Sequence, residues 1–125
     1  TIKIKGVIDR IEKVNGKTRI IDYKTGKTVL RDLTFKDTDV LLAGNKEKAV
    51  QVLLYSLAYL TKDKSEDIEA GIISLRNISS GFIALKEENK VDVGRNFLSA
   101  AITILLNKEL IYEHNRNSTY CNFCN

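Results

Sequence analysis

The sequence contains no proline, methionine or tryptophan, and only one histidine and two cysteines, among its 125 residues. Because even position 1 lacks methionine, we expect the chain to be a fragment of a longer protein. Its apolar runs are broken every few residues, which argues against a membrane-spanning segment. The first residues alternate apolar and charged side chains, unlike a signal peptide. What is present, 43% hydrophobic and 29% charged residues, is typical of one soluble globular domain.

Basic residues outnumber acidic ones only slightly, 20 to 16, giving a net charge of +4 and a pI near 9.1. This balance is compatible with a polyanionic partner but does not require one. Residues 24–48 hold six of the basic residues, and two interpretations of this stretch stay open: a solvated loop, or a path for a phosphate backbone. The basic residues there are Lys24, Lys27, Arg31, Lys36, Lys46 and Lys48.

The hydrophobic pattern predicts an α/β (α+β) fold of order β-β-α-β-β-α, with a mixed central sheet flanked by helices. The predicted strands are 2–14 (bent at Gly6), 17–24, 69–76 and 81–86, and the predicted helices are 46–60 and 93–113. Residues 25–45 resemble an irregular connection. We expect Asp92 to cap the second helix. We also expect that helix to be buried through Phe97, Leu98, Ala101, Ile104, Leu105 and Ile111.

The most informative pattern is a pair of β-rich runs separated by Asn15-Gly16, a strong signal for a two-residue hairpin loop. In that register Asp9 lies directly opposite Asp22. Like charges at opposed positions destabilise a sheet. Because side chains alternate along a strand, Lys24 lies on the same face as Asp22. Two repelling carboxylates beside a lysine are a poor structural feature but a good magnesium site.

The chemistry of phosphodiester hydrolysis fits this group of residues. A metal ion activates water and neutralises developing charge, and Mg²⁺ prefers one or two carboxylates with several waters. We expect Asp9 and Asp22 to be metal ligands, with the backbone carbonyl of Tyr23 as a further ligand. Lys24 would orient or deprotonate the attacking water, or stabilise the phosphoryl oxyanions. The alternative for each residue alone is a solvent-facing position on a strand.

Gln51 and Tyr55 form a second polar group on the first predicted helix. They are four residues apart and therefore share one helix face, at the border of its apolar stripe. From there they could reach a site at the edge of the sheet. The alternative is a boundary position from which both side chains reach solvent.

Together, Gly-x-x-Asp-Arg at 6–10, Asp-Tyr-Lys-Thr-Gly-Lys at 22–27 and Gln-x-x-x-Tyr at 51–55 resemble the PD-(D/E)xK nuclease superfamily, in particular its RecB/AddB-like exonuclease branch. The resemblance covers residues 6–55 and implies a restriction-endonuclease-like core. It implies that the catalytic residues are Asp9, Asp22, Lys24, Gln51 and Tyr55, the first two of which hold the metal. Gln51 and Tyr55 would line the site near bound DNA, where we also expect Lys27 and Arg31.

The sequence departs from the family pattern at two places in the core. Ile8 stands where the family's name has proline. The family also carries an acidic or histidine ligand on a helix upstream of the Asp9 motif, and the region 1–114, taken as the nuclease core, contains no such helix. The single histidine, His114, does not match that ligand, and we expect it at a helix C-terminus, where the dipole favours it.

The tail, residues 115–125, holds Cys121 and Cys124 in a Cys-x-x-Cys spacing. Alone, this pair could be half a zinc knuckle, a redox pair or a coincidence. The resemblance implies instead part of a four-cysteine iron–sulfur motif. Because a cluster needs four ligands, we expect a 4Fe–4S cluster only in the full-length parent.

The function implied is a Mg²⁺- (or Mn²⁺-) dependent DNA exonuclease domain of a bacterial helicase–nuclease-type repair protein. Its partners would be a DNA single strand or duplex end and the rest of a larger chain or complex, with no membrane. We expect a reducing, cytoplasmic and nucleoid-associated location. Three alternatives stay open: a CRISPR-associated RecB-like exonuclease, a non-catalytic nuclease-fold DNA-binding module, and an unrelated α+β protein-interaction domain.

Overall fold

The computed structural model describes residues 2–62, 67–111 and 113. It confirms an α+β fold built on a mixed sheet with helices against it. The strands are β1 (Arg10–Val14), β2 (Lys17–Lys24), β3 (Ile68–Ser74) and β4 (Phe82–Ala84). The helices are α1 (Thr38–Leu42), α2 (Glu47–Lys62) and α3 (Lys90–Leu106), with 3-10 turns at Leu30–Leu33 and Ile78–Ser80. The connection 25–45, expected to be irregular, thus contains a 3-10 turn and a short helix.

The first hairpin closes with the predicted loop. Asn15 and Gly16 have φ angles of 52° and 80°, the left-handed conformation that a two-residue hairpin loop requires. Val14 pairs with Lys17, and the antiparallel register runs from there to Arg10. Asp9 therefore lies one residue beyond the ladder, at the position opposite Asp22.

The first predicted strand is too long. Residues 2–8 have no regular secondary structure and Asp9 forms a bend, so only the second half of 2–14 is a strand. The ladder ends because Asp9 Oδ2 accepts a hydrogen bond from the Tyr23 N–H at 2.9 Å. A side chain thus replaces the backbone carbonyl that a longer β1 would have offered.

The sheet has the strand order β1-β2-β3-β4. β2 and β3 run parallel and the two outer pairs are antiparallel. A parallel pair needs a crossover connection, and α2 lies within it. One face of the sheet packs on α2 in the main core, whose central members are Ile20, Ala70, Ile72, Ala49, Val52 and Leu53.

The two long helices differ in how well the sequence predicted them. α2 agrees with the predicted 46–60 to within two residues. α3 begins earlier than expected, so the prediction of an Asp92 cap is wrong: Asn89 occupies the N-cap and Asp92 lies in the first turn. No helix in the described ranges is long and apolar enough to cross a bilayer.

The second half of α3 is not buried as predicted. Ile104, Leu105 and Ile111 are 41%, 69% and 85% exposed, and the helix ends at Leu106. α3 packs tightly against α2 at Gly94, where an added Cβ would lie 3.3 Å from Leu57. Beyond that contact its apolar stripe borders an open cavity of about 1060 Å³ rather than packed side chains.

Candidate active site

The carboxyl end of β2 places Asp22 and Lys24 on the sheet face that packs against α2. Asp22 is only 3% exposed, and the Lys24 Nζ lies 2.9 Å from Asp22 Oδ2. Among the described residues, the Lys24 ion pair is the one polar contact of this buried Oδ2, and no backbone N–H or second side chain donates to it. A buried carboxylate oxygen that no neutral donor satisfies is poorly solvated. The position therefore suits a ligand that the chain itself does not supply.

The Lys24 ammonium is also held from the helix side. Its Nζ donates to Gln51 Oε1 at 2.6 Å, and Gln51 Nε2 donates to the Tyr55 hydroxyl oxygen at 2.9 Å. The predicted second polar group therefore joins the first, and both lie in one continuous set of contacts. The spacing that placed Gln51 and Tyr55 on one face of α2 is what allows this contact.

Asp9 reaches the same end of β2 from the neighbouring segment. Its carboxylate is exposed and is fixed by the Tyr23 N–H. Because Tyr23 directly follows Asp22, this bond holds Asp9 one residue away from the buried carboxylate. The structure thus brings together the residues that the hairpin register predicted to be neighbours.

The donor set has the chemistry that a hard divalent cation requires. Asp9 and Asp22 offer carboxylate oxygens, one of them buried without a hydrogen bond, and Mg²⁺ accepts one or two carboxylates with water completing its shell. In the ranges the structure describes, no group of three or more His, Cys, Asp or Glu side chains comes together as a metal site. A ligand role for the Tyr23 carbonyl stays a prediction.

A family model for the PD-(D/E)XK nuclease superfamily matches residues 1–125, the whole chain. The chain belongs to this superfamily. No match was found among curated proteins or among solved structures. The mixed sheet flanked by helices agrees with a restriction-endonuclease-like core. Membership points to nuclease or related hydrolase activity, for which divalent metals are the usual cofactors in this superfamily.

Arg10 of the nuclease motif makes contacts away from the buried carboxylate. It forms an ion pair with Glu12 at 2.9 Å and pairs across the hairpin with Ile21, on the face opposite Asp22. A side-chain hydrogen bond with Tyr23, and next the charge of Glu12, raise the pKa of Arg10. These contacts fit a supporting role for Arg10 at the surface.

The basic residues between 27 and 48 are of two kinds. Lys48 Nζ donates to the backbone carbonyl of Lys27 at 2.6 Å, and Lys46 donates to the carbonyl of Arg31. Lys46 and Lys48 therefore fasten the loop to the start of α2. The side chains of Lys27 and Arg31 stay exposed, as contacts with a phosphate backbone require.

Sequence reasoning missed Asn77, which anchors the segment after Lys24. Asn77 Nδ2 donates to the Thr28 carbonyl at 2.8 Å, and its Oδ1 accepts from the Thr28 N–H at 3.2 Å. Ser74 contacts Asn77 as well and donates to the Gly26 carbonyl at 2.8 Å. The only sequence signal was its place between the predicted strands 69–76 and 81–86, which carries no information about a partner 49 residues away.

The predicted iron–sulfur ligands, Cys121 and Cys124, lie outside the described residues, as does His114. Their roles stay predictions.

Proposed function

We propose that this chain is a Mg²⁺- (or Mn²⁺-) dependent deoxyribonuclease domain of the RecB/AddB-like branch, acting as an exonuclease within a helicase–nuclease-type repair protein. Superfamily membership supports the nuclease chemistry, and the three sequence motifs support the branch. The observation that carries the proposal is the buried Asp22 Oδ2, which among the described residues is contacted by the Lys24 ammonium alone and has Asp9 nearby.

In this proposal Asp9 and Asp22 hold the metal. A bound Mg²⁺ would lower the pKa of water and neutralise charge on the phosphoryl oxygens. The protein's own contribution is to keep these carboxylates in place: Asp9 through the Tyr23 N–H, and Asp22 through its burial on β2. Fixing charged groups before the substrate arrives lowers the reorganisation that the reaction requires.

Lys24 is suited to stabilising negative charge on the scissile phosphate. An ammonium has three N–H donors. One is directed at Gln51 Oε1, and a second faces Asp22. The remaining donor can meet a phosphoryl oxygen while the two protein contacts hold the nitrogen still. Lys27 and Arg31, exposed on the loop that follows, would contact the flanking phosphates.

The test is degradation of linear DNA by the purified chain in Mg²⁺, beside Lys24→Ala. The matched control is Lys86→Ala, because Lys86 is an exposed lysine outside the site. We expect Lys24→Ala to lower the rate at least about 100-fold and Lys86→Ala to leave it unchanged. Circular DNA of the same sequence should resist cleavage if the enzyme is an exonuclease. Equal rates for wild type and Lys24→Ala would contradict the proposal.

A non-catalytic DNA-binding module is the second candidate function. It is favoured by one observation, that the described residues bring only two carboxylates to the site rather than a group of three ligands. Such a module would retard the mobility of linear DNA without cleaving it in Mg²⁺ or Mn²⁺. Cleavage that depends on Lys24 would exclude it.

A further inference from the structure

Gly6, in the segment before β1, lies against the ring of Tyr55. A Cβ built on Gly6 would fall 2.9 Å from Tyr55 Cε1, closer than real Cβ contacts. Gly6 is not among the residues with positive φ, which are Asn15, Gly16, Gly44 and Gly81. Its backbone conformation therefore does not require glycine. Glycine is needed because the Tyr55 ring occupies the space that a side chain would take.

The position of that ring determines where the Tyr55 hydroxyl lies. The hydroxyl oxygen accepts from Gln51 Nε2, and Gln51 Oε1 accepts from Lys24. The order of these bonds is fixed by chemistry, because an ammonium can only donate and must therefore meet the amide oxygen. The amide nitrogen is then left to face Tyr55. Gly6, Tyr55, Gln51 and Lys24 thus form one line of contacts ending at Asp22.

We propose that Gly6 and Tyr55 are positioning residues that fix the Lys24 ammonium through the side-chain amide of Gln51. The catalytic consequence rests on the proposed nuclease function, whereas the contacts themselves do not. Gln51 alone is a long side chain with several rotamers. With Tyr55 held between α2 and the Gly6 backbone, its hydroxyl keeps the Gln51 amide in the orientation that presents Oε1 to Lys24.

The effect of a methyl group at Gly6 follows from what surrounds the ring. Tyr55 is half-buried and borders the open cavity of about 1060 Å³, as do Gly6 and Gln51. The ring therefore has room to move away from a new Cβ. The three atoms nearest to that Cβ all belong to the Tyr55 side chain, so the backbone need not shift. Gly6→Ala should displace the hydroxyl from Gln51 while leaving the sheet and α2 intact.

The first measurement uses the side-chain amide signals of Gln51 in ¹⁵N-correlated NMR spectra of the whole chain. We expect Gly6→Ala and Tyr55→Phe to shift these signals and to speed the exchange of the amide protons with water. Gly26→Ala is the matched control, because its added Cβ meets nothing within 4 Å. It should leave the Gln51 signals in place.

The second measurement separates kcat from KM in DNA cleavage. In the proposed function Lys24 acts on the chemical step, so Gly6→Ala should lower kcat and leave KM unchanged. We expect kcat to fall roughly tenfold, the loss typical of one hydrogen bond that supports a charged group. Val7→Ala, an exposed neighbour in the same segment, should behave as wild type. The double variant Gly6→Ala/Tyr55→Phe should be no slower than either single variant, since both break the same contact.

Unmoved Gln51 signals in both Gly6→Ala and Tyr55→Phe would overturn the proposal, and so would kcat losses that multiply in the double variant. Tyr55→Phe adds no atom, so it gives the same test should Gly6→Ala unfold. If the wild type cleaves no DNA, the proposed function fails, and the NMR measurement still decides whether the contacts hold Gln51.

Discussion

Two lysine–aspartate pairs, one at the end of β2 and one between the following loop and α2, differ in how fully each carboxylate is bonded. In the first pair, Lys24 contacts Asp22, whose side chain is 5% exposed, and the Asp22 oxygen has no hydrogen bond among the described residues. In the second, Lys48 contacts Asp32, whose side chain is 34% exposed. Asp32 Oδ2 also accepts the Val29 N–H at 3.0 Å.

In the proposed function, this difference distinguishes the active-site pair, Lys24 and Asp22, from the pair that holds the loop against α2, Lys48 and Asp32. Asp32 is more exposed, yet donors from its own loop and from α2 satisfy it. Asp22 is buried, where donors matter most, and among the described residues its Oδ2 is contacted by Lys24 alone. This arrangement fits the proposed role of Asp22 as a metal ligand, because a metal ion needs a carboxylate oxygen that few donors occupy.

The largest expected effect comes from Asp22→Asn. We expect cleavage to fall at least about 100-fold, because one metal-binding carboxylate is lost. The free energy of unfolding should change by less than about 1 kcal/mol, because Lys24 is partly exposed and keeps Gln51. Cleavage rates and urea denaturation of the same preparations measure both. The matched variant Asp32→Asn should cleave DNA at the wild-type rate. If its cleavage rate fell as far as that of Asp22→Asn, the distinction between the two pairs would be wrong.

Lys48→Ala should act on stability instead. It removes the donor to the Lys27 carbonyl and the contact with Asp32, and we expect a loss of about 1–2 kcal/mol in the free energy of unfolding. Thermal denaturation beside Lys86→Ala measures it. If Lys48→Ala unfolds at the wild-type temperature, the fastening role of the second pair is wrong.

Lys27→Ala and Arg31→Ala test whether the fastened loop contacts DNA. Each should weaken binding to all sequences alike and reduce the slope of log K against log salt by about 1. Fluorescence anisotropy at several salt concentrations, in Ca²⁺ to prevent cleavage, gives the slope. An unchanged slope for both variants would place the phosphate path elsewhere.

The smallest effect is a pH dependence. Burial opposes ionisation of Asp32, but the Val29 N–H and Lys48 outweigh it, and the pKa of Asp32 is lowered from its ordinary 3.8. A carboxylate with a lowered pKa stabilises the fold above its unfolded pKa. That stability is lost as the pH falls through the lower folded value. Over that acid range, the free energy of unfolding of Asp32→Asn should therefore fall by about 0.5 kcal/mol less than that of the wild type. An equal fall in both proteins would contradict this.

The parts of the fold that depend on neighbouring residues were predictable. The Asn15-Gly16 loop fixed the hairpin register through local backbone conformation, and the helical period placed Gln51 and Tyr55 on one face. The placement of Asp9 opposite Asp22 followed from these local rules. A metal-binding role for the pair stays a prediction.

The parts that depend on distant partners were not predictable. β1 is short because the Asp9 side chain takes the Tyr23 N–H, which no strand pattern encodes. Asn77 meets Thr28 only after the sheet has formed. The exposed end of α3 has the same apolar period as a buried helix, since periodicity identifies an apolar face but not what covers it.

The central claim, that the buried Asp22 carboxylate binds a divalent cation, is tested most directly by Mn²⁺ binding. Electron paramagnetic resonance titration of the wild type, Asp22→Asn and Asp32→Asn measures it without requiring DNA or activity. We expect the wild type and Asp32→Asn to bind Mn²⁺ alike, and Asp22→Asn to bind at least about tenfold more weakly. Equal affinity for Asp22→Asn and the wild type would contradict the claim.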